Sequence, residues 1–197
     1  MNQYSNFLDS YNAMDPPIPT ADIQIGGRLI PRSLVEHNNP ALTAAFRVIG
    51  EQGGGASGLA LNVSNQVIGS PYNSVNPVWR TVLFDMVLYT IYNYTDFQTD
   101  LANQQLITDV LVPQLEALTP DGGAYLNEAD SQQPDFQQVL YGPNYDRLLA
   151  IKNRYDPTHM FYALTGVGSE YWAVAEDGRL CRTETGYTVG DAVTARL

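Results

Sequence analysis

The fold of this chain is decided by residues 78–92, VWRTVLFDMVLYTIY. This is the longest stretch with the residue alternation of a β-strand. Both its even-numbered and its odd-numbered residues are largely apolar. One parity includes Phe84 and Leu88, and the other is interrupted only by Thr81 and Asp85. A strand with two apolar faces is typical of a sheet that is covered on both sides. We therefore predict a long strand here, with other elements packed on each of its faces.

Strands and helices alternate irregularly in the rest of the chain. Strand patterns occur at Ala21–Ile30, Ser57–Val63, Ala124–Leu126 and Tyr171–Val174, and helical spacing occurs at Pro40–Gln52, Asp96–Leu118 and Asn144–Arg154. Gly26 and Gly27 predict a bulge or bend, and Pro113 predicts a kink or a second helix start. The alternating polarity favours antiparallel pairing. The predicted class is α+β, an antiparallel sheet covered by helices.

Charge and composition exclude several functions. The chain has 197 residues, a net charge of -11 and only ten basic residues, so it would repel nucleic-acid phosphates and anionic membrane surfaces. Cys181 is the single cysteine, which rules out an internal disulfide and a multi-cysteine zinc site. No apolar run is long enough to span a bilayer, and the N-terminus does not have the pattern of a signal peptide. The sequons at Asn62 and Asn93 hint at secretory ancestry, although such tripeptides also arise by chance.

Three motifs in the last third of the chain occur in a characteristic order. They are GAYLNEAD at residues 123–130, YGPNYDRL at 141–148 followed by YDP at 155–157, and TGVGSE at 165–170 followed by Trp172. As a set, they resemble the C-terminal part of the vanillyl-alcohol-oxidase/berberine bridge enzyme-like superfamily of FAD-linked oxidoreductases. Residues 26–32, 73–80 and 177–182 are most similar to the fungal isoamyl-alcohol-oxidase-like branch.

The resemblance implies a domain organisation. Residues 1–20 are an extended lead-in, 21–122 a partial substrate domain, 123–182 the berberine-bridge-type C-terminal segment and 183–197 a tail. In the family, this C-terminal segment packs on an FAD-binding domain that carries a Gly-Gly-His motif for the covalent flavin. His37 and His159 do not follow a glycine pair, so the chain is expected to lack the FAD-binding half and not to retain FAD alone. A separate FAD-binding polypeptide is a potential partner.

The resemblance also assigns candidate site residues. Tyr125 is the candidate catalytic residue, and Tyr125, Asn127, Asn144 and Tyr145 are the candidate cofactor-binding residues. We expect Tyr125, Asn127 and Asn144 to share one concave wall. Each also has a structural interpretation, since a strand-end tyrosine, a turn asparagine, an N-cap asparagine and a core tyrosine are common.

Other residues carry weaker hypotheses. Trp79 and Arg80 are candidate substrate-binding residues, with a core tryptophan and a surface arginine as the alternative. Glu128 is either a base or a structural carboxylate that caps amides. Residues 53–55, three glycines, lie after a helix and before a strand, which is the wrong order for a phosphate loop. His159 is interpreted as a loop residue.

Two functions remain from the sequence. The first is a truncated or split FAD-linked oxidoreductase that, when intact, oxidises an alcohol-type secondary metabolite by hydride transfer to flavin, with reoxidation by oxygen. The second is a non-redox remnant that binds or cyclises a metabolite without FAD. The compartment stays open, although members of the family are often secreted.

Overall fold

A three-stranded antiparallel sheet forms the centre of the structure, a computed structural model that describes residues 4–14, 22–69, 73–175 and 177–183. Its strands are β1 (Ile23–Pro31), β2 (Gly55–Ala60) and β3 (Val82–Ile91), and β3 lies in the middle. The register pairs Leu29 of β1 and Leu59 of β2 with the same β3 residue, Asp85. A carboxyl group therefore occupies the middle of an otherwise apolar sheet face.

Seven helices occur in the described part of the chain. They are α1 (Phe7–Met14), α2 (Arg32–His37), α3 (Asn39–Glu51), α4 (Asn65–Ile68), α5 (Phe97–Leu106), α6 (Val112–Glu116) and α7 (Tyr145–Tyr155). Of these, α2, α3, α5 and α6 pack against the sheet. A π-helical turn, Ile107–Leu111, joins α5 to α6. Pro113 lies in the first turn of α6, where its missing N–H costs little, so the predicted second helix start is confirmed.

One face of the sheet packs on the helices and forms the main core. Ile30, Phe84 and Leu88 of the strands meet α3 and the π turn, and Leu88, Leu111 and Leu115 are completely buried. Burying a side chain of this size contributes about 1.5–3 kcal/mol. Gly26 also lies on this face: a Cβ at its position would be 2.6 Å from the Ile107 side chain.

The other face is only partly covered, which corrects the prediction of cover on both sides. Residues 123–130, here called the crossing segment, cover β1 on this face, whereas Leu59 of β2 is 61% exposed and Ile91 of β3 is 64% exposed. The apolar odd-numbered residues of β3 thus border an open cavity instead of a second packed layer.

The crossing segment is held at both of its ends. The amide of Leu29 donates to the carbonyl of Gly123 at 2.8 Å, and Gln104 of α5 donates to the Asp130 carboxylate at 2.8 Å. Between these anchors, the carbonyl of Glu128 lies so close to Gly27 that a Cβ would be 2.7 Å from its oxygen. The glycine pair therefore permits close packing on both faces of β1, and the only irregularity of register lies later, between Ile30 and Pro31.

A second, smaller core lies after the crossing segment. Phe136, Val139, Leu140 and Tyr145 pack together, and α7 covers them. A two-stranded antiparallel sheet of β4 (Trp172–Val174) and β5 (Leu180–Arg182) follows. The predicted tail lies outside the described residues from position 184 onward.

Several sequence predictions differ from the structure. Pro77–Thr81 is a 3₁₀ turn and not part of the long strand, because the Asn76 side chain accepts a hydrogen bond from the Val78 amide and caps the turn. No strand forms at Ala124–Leu126, where a 3₁₀ turn, Leu126–Glu128, begins instead. Within the predicted extended lead-in, Phe7–Met14 is helical, and Asp15–Ala21 are not described.

No helix among the described residues is long and apolar enough to cross a membrane.

A methyl group at Gly27 tests whether close approach of the crossing segment stabilises the fold. Gly27→Ala should lower the free energy of unfolding by about 1–3 kcal/mol, because the Glu128 carbonyl has to move. Gly50→Ala is the matched control, since nothing lies within 4 Å of its Cβ position in α3, and it should raise stability by about 0.5–1 kcal/mol. Urea denaturation of the three proteins measures both effects, and equal stability of the two variants would contradict this account.

Candidate active site

A cavity of about 600 Å³ opens on the uncovered face of the sheet. Its wall combines β2, β3, the 3₁₀ turn at residues 77–81 and the crossing segment. The lining residues are Ser57, Gly58, Leu59, Leu61, Trp79, Asp85, Val87, Tyr125 and Glu128. The cavity is thus mostly apolar, with two carboxyl groups at one point, which is the usual composition of a small-molecule site.

The two carboxyl groups interact directly. Asp85 projects from the middle of β3 and is 5% exposed, and it forms a side-chain hydrogen bond with Glu128 of the crossing segment. Two carboxyl groups can share a hydrogen bond only if one of them carries a proton. Burial, the negative charge of Glu128 and this hydrogen bond together raise the pKa of Asp85 from 3.8 to about 6.

One oxygen of this pair has no protein partner. Asp85 Oδ1 is buried and accepts no hydrogen bond from any described residue. A buried oxygen without a partner is costly, and such atoms are concentrated at functional sites.

Trp79 and Tyr125 form the aromatic part of the wall. Their rings meet edge to face with centroids 5.5 Å apart. The Tyr125 hydroxyl accepts a hydrogen bond from Asn127 at 2.8 Å. Asn76 links the turn that carries Trp79 to the second core, because its side chain donates to the carbonyl of Val139. Trp79 therefore lies in the cavity wall, and its role in substrate binding stays a prediction.

The predicted cofactor residues do not share one wall. Tyr125 lines the large cavity, whereas Asn144 lines a separate cavity of about 150 Å³ and donates to the carbonyl of Val75 at 2.9 Å. Asn127 lines neither cavity, since the 3₁₀ turn folds its amide back onto Tyr125. The described structure therefore does not bring these three residues together in either of these two cavities, and their role in cofactor binding stays a prediction.

Tyr145 has a structural environment. Its ring is 8% exposed, and its hydroxyl donates to the Glu170 carboxylate at 2.6 Å and accepts from the Gly168 amide at 3.1 Å. Burial, and next the hydrogen bond to Glu170, raise the pKa of this phenol. The side chain holds residues 165–170 against α7 and has no free hydrogen-bonding group for a ligand.

Arg80 and His159 were also singled out in the sequence. Arg80 does not line the large cavity and instead donates to the carbonyl of Val63 at 3.0 Å. His159 lies in a loop as predicted, and there it is buried, with its ring stacked on Tyr171 at a centroid distance of 3.9 Å. No group of three metal-ligating side chains occurs among the described residues.

Sequence reasoning missed Asp85 as a site residue. The sequence did show Asp85 as a charged residue among the apolar residues of one strand face. Its partner Glu128, however, lies 43 residues later in the chain. The three glycines at 53–55 form a connection as predicted, since α3 ends at Glu51 and β2 begins at Gly55.

Comparison with known proteins identifies the class. Residues 124–168 match the family described as berberine and berberine like. The chain is 45% identical over 191 residues to the FAD-linked oxidoreductase patO of Aspergillus clavatus, an alignment that covers 93% of this chain and 33% of that protein. It is 46% identical over 181 residues to the FAD-linked oxidoreductase sor8 of Hypocrea jecorina, covering 91% and 31% respectively.

A solved structure shows the same fold. The VAO-type flavoprotein MtVAO615 from Myceliophthora thermophila C1 superposes with a TM-score of 0.75 and 34% identity, over 90% of this chain and 34% of that one. These findings confirm the predicted resemblance: the chain is homologous to a C-terminal part of fungal FAD-linked oxidoreductases of the vanillyl-alcohol-oxidase and berberine-bridge-enzyme type. It spans about a third of the length of these relatives. The assignment to the isoamyl-alcohol-oxidase-like branch stays a prediction.

The raised pKa of Asp85 should appear in the pH dependence of stability. Below about pH 4 this group is protonated in both the folded and unfolded states, and between pH 4 and 6 only the unfolded chain loses the proton. Stability therefore falls as pH rises through this window, by on the order of 3 kcal/mol.

Asp85→Asn should remove this contribution, because an amide of the same shape does not ionise. Urea denaturation from pH 3.5 to 7.5 should show the variant gaining stability relative to the wild type as pH rises. Asp146→Asn, at an exposed position of α7, is the control. A constant difference between wild type and Asp85→Asn across this range would contradict the assignment.

Proposed function

We propose that this chain provides the substrate cavity and the proton-accepting group of an FAD-linked oxidoreductase that oxidises an alcohol-type carbon of a small, largely apolar metabolite. The observation that carries the proposal is the carboxyl pair of Asp85 and Glu128 in a cavity that is otherwise apolar. Oxidation of an alcohol requires loss of the hydroxyl proton as well as a hydride. The cavity has a group suited to the first of these steps.

The pair is suited to act as a general base. A base works best when its pKa is near the pH at which the enzyme operates, and the pKa of Asp85 is about 6. In its ionised form, the Asp85 carboxylate accepts the proton of a substrate hydroxyl, and Glu128 is its hydrogen-bonding neighbour. Trp79 and Tyr125 orient the substrate by ring contacts, and Leu59 and Val87 exclude water from the carbon that is oxidised.

The cavity fits the reacting end of a flavin and its substrate, but not the diphosphate of FAD. Trp79, Tyr125 and the leucines offer an apolar wall, whereas no Lys or Arg is found among the lining residues that the structure describes. Two carboxyl groups would repel a diphosphate. When bound, FAD supplies the hydride acceptor, and the residues that hold its diphosphate belong to another stretch of polypeptide.

The surface that would meet this stretch is apolar. Tyr155 is the last residue of α7, and Met160 and Phe161 lie in the loop that follows it. Each of the three is at least 75% exposed. Exposed apolar side chains this close together mark interaction surfaces. The non-redox alternative is not favoured, because relatives at 45% and 46% identity are named as FAD-linked oxidoreductases.

We expect the 197-residue chain alone to bind FAD weakly or not at all, because its cavity offers no cation to the diphosphate. Flavin fluorescence titration and the absorbance spectrum of the purified chain measure this. The flavoprotein MtVAO615, purified in parallel, is the positive control. A yellow chain with a stoichiometric flavin spectrum would contradict this expectation.

A chimaera tests the catalytic assignment directly. The matching third of MtVAO615 is replaced by this chain, and flavin reduction by a panel of alcohols is followed anaerobically by stopped-flow absorbance. Asp85→Asn and Glu128→Gln should each slow flavin reduction by about 100- to 10,000-fold, the range for loss of a general base. Flavin content should not change, because neither residue holds the diphosphate.

Glu51→Gln, at an exposed position at the end of α3, is the control and should reduce flavin at the unaltered rate. Two results would overturn the proposal: a flavin-loaded chimaera that no alcohol reduces, or carboxyl variants that react as fast as the control.

A further inference from the structure

Two exposed asparagines lie in the same local structure at corresponding places in the sheet. Asn62 follows β2, and Asn93 follows β3. In both, the residue two positions later carries a hydroxyl group, Ser64 and Thr95 respectively. These are the only Asn-X-Ser/Thr tripeptides of the sequence.

The side-chain hydrogen bonds of the two sites match. Asn62 Oδ1 accepts from the Ser64 hydroxyl at 2.9 Å and from the Ser64 amide at 3.4 Å. Asn93 Oδ1 accepts from the Thr95 hydroxyl at 2.7 Å and from the Thr95 amide at 3.0 Å. Each oxygen is thus fixed by two donors, whereas neither amide nitrogen donates to any described residue.

We propose that Asn62 and Asn93 are N-glycosylation sites, modified on the folded surface of the protein. The hydrogen bond from the Ser or Thr hydroxyl withdraws electron density through the asparagine amide oxygen and makes the N–H protons of Nδ2 easier to remove. The turn leaves Nδ2 as the only free polar group of the side chain. The modifying enzyme needs both an accessible nitrogen and an extended or turn backbone, and both sites provide them.

The chemistry uses an activated sugar as the co-reactant. Asn Nδ2 forms a bond to the anomeric carbon of a sugar linked to a diphosphate, either of a lipid or of a nucleotide. The bond between this carbon and the diphosphate oxygen breaks, the diphosphate leaves with the electron pair, and the amide nitrogen loses one proton. No oxidant or reductant is required.

A third asparagine shows what the two sites have in common. Asn73 Oδ1 also accepts from a backbone amide two residues later, that of Val75, at 3.1 Å, but no hydroxyl is present. Asn103 of α5 lies in a helix instead, and its Nδ2 donates to the carbonyl of Ile91 at 3.0 Å. These residues provide matched positions in which the tripeptide can be created by one substitution.

A sugar at Asn93 would lie beside an exposed apolar area. Tyr92 and Tyr94 flank this residue with ring centroids 4.7 Å apart, and Ile91, Tyr94 and Phe97 are more than 60% exposed. Sugars are bulky and solubilising at protein surfaces. A glycan here would therefore shield side chains that otherwise promote association.

The experiment compares the folded and the urea-unfolded full chain. A soluble asparagine N-glucosyltransferase and nucleotide-activated glucose are added to each, and peptide mass mapping locates the sugars. The folded wild type should carry glucose at Asn62 and Asn93. Asn62→Gln or Ser64→Ala should remove the first sugar only, and Asn93→Gln or Thr95→Ala the second only.

Two variants that create the tripeptide test the role of local structure. Val75→Thr should add a third modified site at Asn73, whose turn already has the required shape, in the folded chain. Gln105→Thr should leave Asn103 unmodified in the folded chain and modified in the unfolded one. Circular dichroism verifies that each variant is folded before the reaction.

A folded wild type that gains no sugar, while the unfolded chain gains two, would overturn the proposal. Equal modification of Asn103 in folded Gln105→Thr would also overturn it, since local structure would then be irrelevant. As a second measurement, the chain is secreted from yeast behind a cleavable leader. Glycosidase-sensitive sugar on both asparagines is the expected result, and secreted protein without sugar would contradict the assignment.

Discussion

The carbonyl of Glu128 lies against the backbone of Gly27, and most of the candidate site depends on this contact. Because β1 has no side chain at this point, residues 123–130 can cross the sheet at close range. The crossing brings Glu128 to Asp85 and places Tyr125 against Trp79. A larger residue at position 27 would separate the two halves of the cavity wall, although each half could keep its own hydrogen bonds.

The electrostatics of the site follow from the same contact. A carboxyl group in the middle of an apolar sheet is costly unless it is neutralised or paired. Here the pairing partner is a second acid, so the pair retains a proton to a higher pH than either group would alone in water. The cost is tolerated because the helix-side core of Leu88, Leu111 and Leu115 stabilises the sheet from its other face. The Asp85 carboxyl group is in this way placed on a rigid strand, which keeps its geometry fixed.

The sequence predicted those features that depend on local pattern. The helix at Asn39–Glu51, the interruption near Pro113 and the antiparallel sheet follow from periodicity and proline chemistry, and the structure has all three. The family resemblance followed from motifs whose order is preserved, and the comparisons confirm it.

Features that depend on long-range contacts were beyond the sequence. The strand was predicted to begin at Val78, but Asn76, whose side chain bonds both the Val78 amide and the distant carbonyl of Val139, caps a 3₁₀ turn there instead. Tyr145 and Asn144 are adjacent in sequence, yet one is a core residue bonded to Glu170 and the other lines a separate cavity. The pairing of Asp85 with Glu128 could not be predicted either, since no local pattern connects a strand residue to a turn 43 positions away.

The central claim is that Asp85 and Glu128 share a proton on the open face of the sheet. Carbon-13 NMR of selectively labelled aspartate carboxyl groups, recorded from pH 3 to 8, measures it directly, with Asp85→Asn used to assign the signal. The Asp85 carboxyl should titrate with a midpoint of about 6, and at a lower pH in Glu128→Gln, where the neighbouring charge is gone. A midpoint near the ordinary 3.8 in both proteins would show that the two groups do not interact.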